Sequence, residues 1–272
     1  MQTRVAWENL TDHTRAAIET QTGRVHEAHT VSAGMNSALA VVLDTEGGKV
    51  FVKGIRRDHP GVVTQQREAA INPYVRSLSP AVLWQLDDVD GWNVLGFEYI
   101  EGRAADYRPG SADLPLVLDA LGTLGSLTCP NVPSIKESGP RWSSYVDSPD
   151  EVALLAGDAL LHTDYNPENV LVSGGAAHLI DWAWPTRGAA WIDPCCLLIR
   201  MVAAGHSASD AEGWVRQVPA WHTAPEGALA VFARACARMW QDIADQNPQP
   251  WVQGMARAAR EWADVRLTGT CS

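Results

Sequence analysis

The sequence predicts an α+β fold of two lobes, β-rich over residues 1–101 and mainly helical over residues 102–272. Three features carry that expectation. Apolar, β-branched runs cut by short polar turns fill much of the first hundred residues; the composition changes after Glu101-Gly102-Arg103; and from there on apolar residues recur at helical spacing. With 46% hydrophobic and 19% charged residues, the 272-residue chain can bury a substantial core, which excludes a disordered protein.

Each element has its own signal. In "NLTDHTRAAIETQTG", Thr11 and Asp12 can cap a helix and Gly23 can stop it. Residues 24–55 read as three antiparallel strands separated by "SAGMNS" and "TEGG". In "PGVVTQQREAAINPYVRSL", Ile71, Tyr74, Val75 and Leu78 keep helical spacing and Glu68 shares their face. Pro73 lacks an N–H, so it must kink or split that helix. "AVLWQLDDVDGWNVLGFEYIEG" reads as a hairpin turning at "DVDG".

In the second lobe, the helical "DLPLVLDALGTLGSL" is followed by a Pro- and Ser-rich connection, "CPNVPSIKESGPRWSSYVDSPDE". Two short strands then bracket "HTDYNPEN", and a helical block closes the chain: "DPCCLLIRMVAAG", "APEGALAVFARACARMWQDIAD" and "PWVQGMARAAREWADVRL". Asp193 before Pro194 reads as an N-cap with proline at the first helical position.

Composition narrows the function classes. A formal net charge of −11 disfavours a nucleic-acid partner. Cys129, Cys195, Cys196, Cys236 and Cys271 form no C-x-x-C pair, so neither a zinc site nor a disulfide framework is indicated. With no apolar run of membrane-spanning length and no long apolar segment near Met1, the expected location is cytoplasmic and no membrane partner is expected. Lysine is rare: only Lys49, Lys53 and Lys136 occur, so the position of each is informative.

The chemistry concentrates in a few places. "HTDYNPEN" sets Asp164 and Asn169 five apart around Pro167, and "HLID" brings Asp181 after the next apolar run. "VFVK" puts Lys53 inside an apolar strand, and an inward-facing Glu68 needs a partner. The histidines other than His162 form no H-x-H or H-x-x-E-H pattern, so a metal-hydrolase cluster lacks its ligands.

In this order, these motifs resemble the protein-kinase-like superfamily and, within it, the aminoglycoside phosphotransferase family of small-molecule kinases, from about Val31 to Leu198. The resemblance implies a two-lobed protein-kinase-like fold and an ATP- and Mg2+-dependent enzyme that phosphorylates a hydroxyl of a small molecule. By the H-x-D-x-x-x-x-N pattern, Asp164 is the implied catalytic base and Asn169 a magnesium ligand, with Asp181 the second and His162 bracing the loop. Lys53, paired with Glu68, is the implied phosphate contact. "GFEYIEG" matches the hinge, with Phe97 guarding the adenine and the main chain of Glu98 and Ile100 pairing with its edge. Asp193 is implied to brace the catalytic loop as well as to cap.

The glycine-rich loop of protein kinases is absent: "SAGMNS" has only Gly34, and Ser37 is the remaining phosphate-loop candidate, an ordinary hairpin turn being the alternative. The family's default acceptor is an aminoglycoside or related antibiotic, which would make the role antibiotic resistance. Yet residues from Ile180 onward carry nine acidic and eight basic side chains, a nearly neutral block. Asp158, Glu168, Asp242, Asp245 and Glu261 are acidic residues that could gather around a polycation, while Trp182 and Trp184 are candidate pocket walls for a choline-like, sugar-like or aromatic acceptor. A protein kinase is disfavoured by the short chain and the missing A-P-E segment. A catalytically silent nucleotide-binding protein is disfavoured because Lys53, Asp164, Asn169 and Asp181 are all present.

Overall fold

The computed structural model describes residues 4–31 and 37–268. They divide into two compact units: residues up to 103 together with 132–134 and 180–183, and residues 104–131, 135–179 and those from 184 on.

The first unit is built on an antiparallel sheet. Helix α1 (Asp12–Thr22) begins at Thr11, whose hydroxyl accepts the Thr14 N–H, and ends at Gly23, whose φ of 78° is open to glycine without strain. Strands β1 (Val25–Thr30), β2 (Leu39–Thr45) and β3 (Gly48–Arg56) follow, then helix α2 (Val62–Ile71), then β4 (Val82–Val89) and β5 (Trp92–Glu98). Their order in the sheet is β1-β2-β3-β5-β4. The β4–β5 turn has positive φ at both Asp90 and Gly91, the backbone that an Asp-Gly pair favours in a two-residue hairpin. Ile18 of α1 packs with Leu39, Val41, Leu43, Val50, Val52 and Val94 of the sheet.

Helix α2 stops at Ile71, and a 3-10 turn over Asn72–Tyr74 contains Pro73. The single long helix suggested by spacing is therefore split where proline removes the N–H. Val75 and Leu78 are buried outside it, but Tyr74 is 53% exposed rather than part of an apolar face. Asn72 fixes the break: its side-chain amide donates to the Pro80 carbonyl, and its oxygen accepts the Val82 N–H. Gly96 lies under the Trp84 indole, where an added Cβ would stand 2.1 Å from Cε2.

The short β6 (Arg103–Ala104) leads into the second unit. There α3 (Asp113–Leu124), β7 (Lys136–Glu137), α4 (Ser138–Trp142), α5 (Pro149–Leu154), β8 (Ala159–Leu161), β9 (Val170–Ser173), β10 (Ala176–Leu179) and β11 (Thr186–Gly188) precede four helices. These are α6 (Ile192–Ala203), α7 (Ala208–Val215), α8 (Ala228–Gln246) and α9 (Pro250–Thr268). Strands β9 and β10 form a hairpin, and β11 lies between β7 and β8. The Pro- and Ser-rich connection thus contains β7, α4 and α5, and α7 is a helix that apolar spacing did not single out.

Apolar packing holds this unit together. Phe232 of α8 meets Trp142 and Trp191 edge-on, with ring centroids 5.2 and 5.5 Å away. The buried Glu212 of α7 accepts from Trp262 Nε1 at 2.9 Å and pairs with Arg266, both on α9, so its charge is satisfied inside the helical block. Among the described residues no helix is long and apolar enough to cross a membrane.

Candidate active site

In the first unit, three charged side chains converge. Lys53 on β3 has its Nζ 2.7 Å from Glu68 Oε2 and 2.7 Å from Asp181 Oδ1. The sequence places one member of this trio locally: Gln65, Glu68 and Ile71, three apart, are the buried side of α2. Gln65 seats the helix on β5 by donating to the Asn93 carbonyl and side-chain oxygen. Asp181 comes from the segment 180–183, and its φ of 60° is an unusual conformation for a residue with a Cβ.

Burial governs the electrostatics. For Lys53, burial favours the neutral amine, but the opposing charges of Asp181 and Glu68 outweigh it and hold its pKa above the ordinary value. For Glu68, burial dominates and pushes the carboxyl up, against the pull of Lys53 and an N–H from Trp182. Trp182 itself is only 2% exposed, so it is a packing residue and not the pocket wall the sequence suggested.

The other residues expected on this unit are less committed. Ser37 is buried and its carbonyl accepts from Arg4 Nη1 at 3.2 Å; Gly34 lies outside the described residues. Glu98 ends β5 with an exposed side chain, and its N–H donates to Ala81. Ile100 is half-buried just beyond β5. Phe97 packs on Phe51, with ring centroids 6.2 Å apart.

In the second unit, Asp164 and Asn169 lie on the loop between β8 and β9. Asn169 Nδ2 donates to the Asp164 carbonyl at 3.3 Å, and the Asn169 N–H donates to Asn166 at 2.7 Å within a 3-10 turn. Pro167 at the start of that turn gives up no needed donor. His162, almost fully buried, accepts the Asp164 N–H at Nδ1, 3.3 Å away, and its ring packs beside Tyr165. The Asp164 side chain is half-buried, with Oδ1 accepting the Asn166 N–H at 3.3 Å.

Two neighbours on α6 fix this loop. Asp193 accepts the His162 and Thr163 N–H groups, each at 2.8 Å. It is not an N-cap: Trp191 occupies that position, and the carboxylate is turned onto the loop backbone. Burial raises its pKa, while the two N–H groups, His162 and Tyr165 pull the other way. Seven residues on, two turns along the same helix face, Arg200 Nη2 reaches Asp164 Oδ1 at 3.2 Å. Arg200 was not singled out from sequence, although it is the sole basic residue of that apolar helix, one heptad from Asp193.

Further polar groups surround the loop. Arg141 Nη1 donates to the Thr163 and Thr186 hydroxyls at 2.6 and 2.8 Å. Thr163 has a φ of 69°. Trp184 is 39% exposed, with Lys136 Nζ 4.6 Å and the Arg141 guanidinium 5.9 Å from its ring. Asp158, Glu168, Asp242, Asp245 and Glu261 are exposed, and among the described residues no three His, Cys, Asp or Glu side chains gather as a metal-holding group. An open groove of about 460 Å³ between Pro109-Gly110 and the Ser209, Asp210, Gly213 and Trp214 side of α7 contains none of the predicted site residues.

The donor chemistry suits a hard cation residue by residue. Asp181 supplies a carboxylate; Asn169 commits its amide nitrogen to the Asp164 carbonyl, leaving Oδ1 as its available ligand atom.

No protein-family model matches the chain, and no curated protein matches it. Solved structures do. The choline kinase LicA from Streptococcus pneumoniae superposes with a TM-score of 0.61 at 15% identity, over 92% of this chain and 98% of that one. A thermostable mutant of the aminoglycoside phosphotransferase APH(4)-Ia, bound to ADP and hygromycin B, gives 0.58 at 15% identity over 94% and 99%. An aminoglycoside phosphotransferase from Alicyclobacillus acidocaldarius gives 0.62 at 11% identity over 93% and 94%. The chain shares their fold, the α+β fold with a β-sheet N-terminal part and a helical C-terminal part expected from its sequence.

Proposed function

We propose that this protein is an ATP- and magnesium-dependent phosphotransferase that moves the γ-phosphoryl group onto a hydroxyl of a small molecule. The observation that carries it is the trio of Lys53, Glu68 and Asp181: a largely covered strand lysine fixed between two carboxylates distant in sequence, inside a fold shared with small-molecule kinases. In this reading residues 1–101 hold the nucleotide and residues 102–272 carry the catalytic loop and the acceptor.

Each residue has a task. Lys53, oriented by Glu68, contacts the phosphates of ATP; Ser37 is a second phosphate contact, and the main chain of Glu98 and Ile100 holds the adenine. Asn169 and Asp181 serve as magnesium ligands, and the ion, when bound, offsets the charge of the phosphates. Asp164 accepts the proton of the acceptor hydroxyl as its oxygen bonds to phosphorus; the β,γ-bridging bond breaks and ADP leaves. Asp193 and His162 hold the loop backbone, so Asp164 needs no reorganisation at that moment.

Aminoglycosides and related antibiotics are the first acceptors to try, since hygromycin B occupies one structural neighbour, and choline-like, sugar and amino-alcohol acceptors come next. The test measures ADP release with magnesium and ATP against such a panel, followed by identification of the phosphorylated product. No phosphoryl transfer to any acceptor, with no binding of ATP, would defeat the kinase reading; binding without transfer would favour a silent nucleotide-binding protein.

A further inference from the structure

The side chains around Asp164 bear on the charge of whatever binds beside it. Arg200 touches the carboxylate directly, and its guanidinium stacks on Trp240 with 5.5 Å between Cζ and the ring centroid, which sets the arm against an apolar wall. Arg141 holds the neighbouring Thr163. Lys136 and Arg141 both lie over the Trp184 ring, the aromatic face that a quaternary ammonium group would otherwise use. The carboxylate of Asp193 is already committed to two backbone N–H groups.

A second observation points to a ligand rather than to a closed ion pair. Tyr107 is 2% exposed, and its Oη has no hydrogen-bond partner among the described residues. Burial chiefly suppresses its ionisation; Arg200 opposes that, and the carboxylates of Asp164 and Asp113 add to it. A buried phenol without a partner is costly unless something bonds it. A polycation would meet the guanidinium of Arg200 at the Asp164 carboxylate itself, so that charge is already answered from within the protein. An oxyanion would meet a guanidinium fork and a phenolic O–H donor.

We propose that the acceptor carries an oxyanion, a carboxylate or phosphate, and that Arg200 with Tyr107 binds it next to Asp164. This rests on the kinase reading for the word acceptor, but the binding site itself can be tested without turnover. Arg200 is then a specificity-determining residue, and polycationic aminoglycosides are poor ligands.

The probe is inorganic phosphate, titrated calorimetrically into the full-length protein with magnesium and saturating AMP-PNP, which keeps phosphate off the nucleotide site. Wild type should bind it, Arg200→Gln should weaken binding at least tenfold, Arg200→Lys should recover part of it, and Tyr107→Phe should weaken it several-fold. Thermal melts confirm that the variants fold; if Arg200→Gln does not, the Arg200→Lys and Tyr107→Phe titrations decide. No phosphate binding to wild type, or binding indifferent to these substitutions, overturns the proposal, and so does tighter binding of hygromycin B than of anionic sugars.

A turnover assay with gluconate, glucose 6-phosphate, glucose and glucosamine separates the two readings. Arg200→Gln should raise KM for the anionic members by a much larger factor than KM for glucose; an equal fall in kcat for every acceptor, with KM ratios unchanged, would instead make Arg200 a contact of Asp164 or of the transferred phosphoryl group alone and overturn the proposal. Arg200-dependent phosphate binding with no transfer to any compound defeats the kinase reading alone. Efficient transfer to a polycation defeats the oxyanion site alone.

Discussion

The two units handle their carboxylates in opposite ways. In the first, Glu68 and Asp181 are side chains 6% and 18% exposed, locked at 2.7 Å on either side of one buried lysine. In the second, Asp164 is 36% exposed and held by longer contacts to Arg200 and the Asn166 N–H, while the backbone beneath it is anchored by the buried Asp193. Under the proposed function the contrast has a reason: a group assigned to grip can be frozen by burial and counter-charge, whereas one assigned to accept a proton must stay partly exposed. Rigidity is placed in the side chains of one region and in the main chain of the other.

Asp164→Asn gives the largest expected effect and tests the outward carboxylate. Turnover should fall by ~10²–10⁴, with ATP affinity and melting temperature nearly unchanged; steady-state kinetics beside a nucleotide titration would show it, and undiminished turnover would remove Asp164 from its role. Lys53→Met tests the frozen trio. With two buried carboxylates left facing each other, the fold should lose about 3–5 kcal/mol, read by urea denaturation. A loss as small as that of an exposed pair would mean that water reaches these charges freely.

Asp193→Asn sharpens the contrast, since it leaves every proposed reacting group in place. One loop N–H loses its acceptor, at about 1–3 kcal/mol, and kcat should fall with little change in KM for ATP. If stability dropped and kcat held, the anchoring of the loop backbone would be structural only.

The smallest effect lies far from either site. Hydrogen bonds from Thr11, His13 and Thr14 lower the Asp90 carboxyl to about 2 from its ordinary 3.8. The unfolded chain therefore binds the proton more strongly in that interval, so this stabilisation is complete above about pH 4 and fades as pH falls toward 2. Asp90→Asn keeps a residue that accepts the positive φ of the turn, and should flatten the acid limb of a stability–pH curve; an unchanged limb would assign acid sensitivity to other carboxylates.

Much of the first unit was legible because its determinants are local. Gly23 and the Asp90-Gly91 turn announce their backbone, Pro73 announces the end of α2, and a charged residue at Lys53 or Glu68 in an apolar pattern demands a partner. Long-range choices were less legible. Asp193 before Pro194 satisfies every local rule for a cap, yet the helix starts at Ile192, two residues before the expected position, and the carboxylate goes to residues 162 and 163; only the family resemblance, not the local pattern, pointed to the loop. Trp182 and Trp184, two apart, differ in burial, 2% against 39% exposed, which no local pattern announces. Arg200 carries no local signal of a partner; only the placement of the loop against α6 reveals what it touches.

Thr163 holds a consequence of its own. A β-branched residue at a φ of 69° stores about 1–3 kcal/mol that glycine would release, yet its hydroxyl is what Arg141 grasps. Thr163→Gly should therefore yield a more heat-resistant protein that works less well, the tether having been exchanged for ease of backbone.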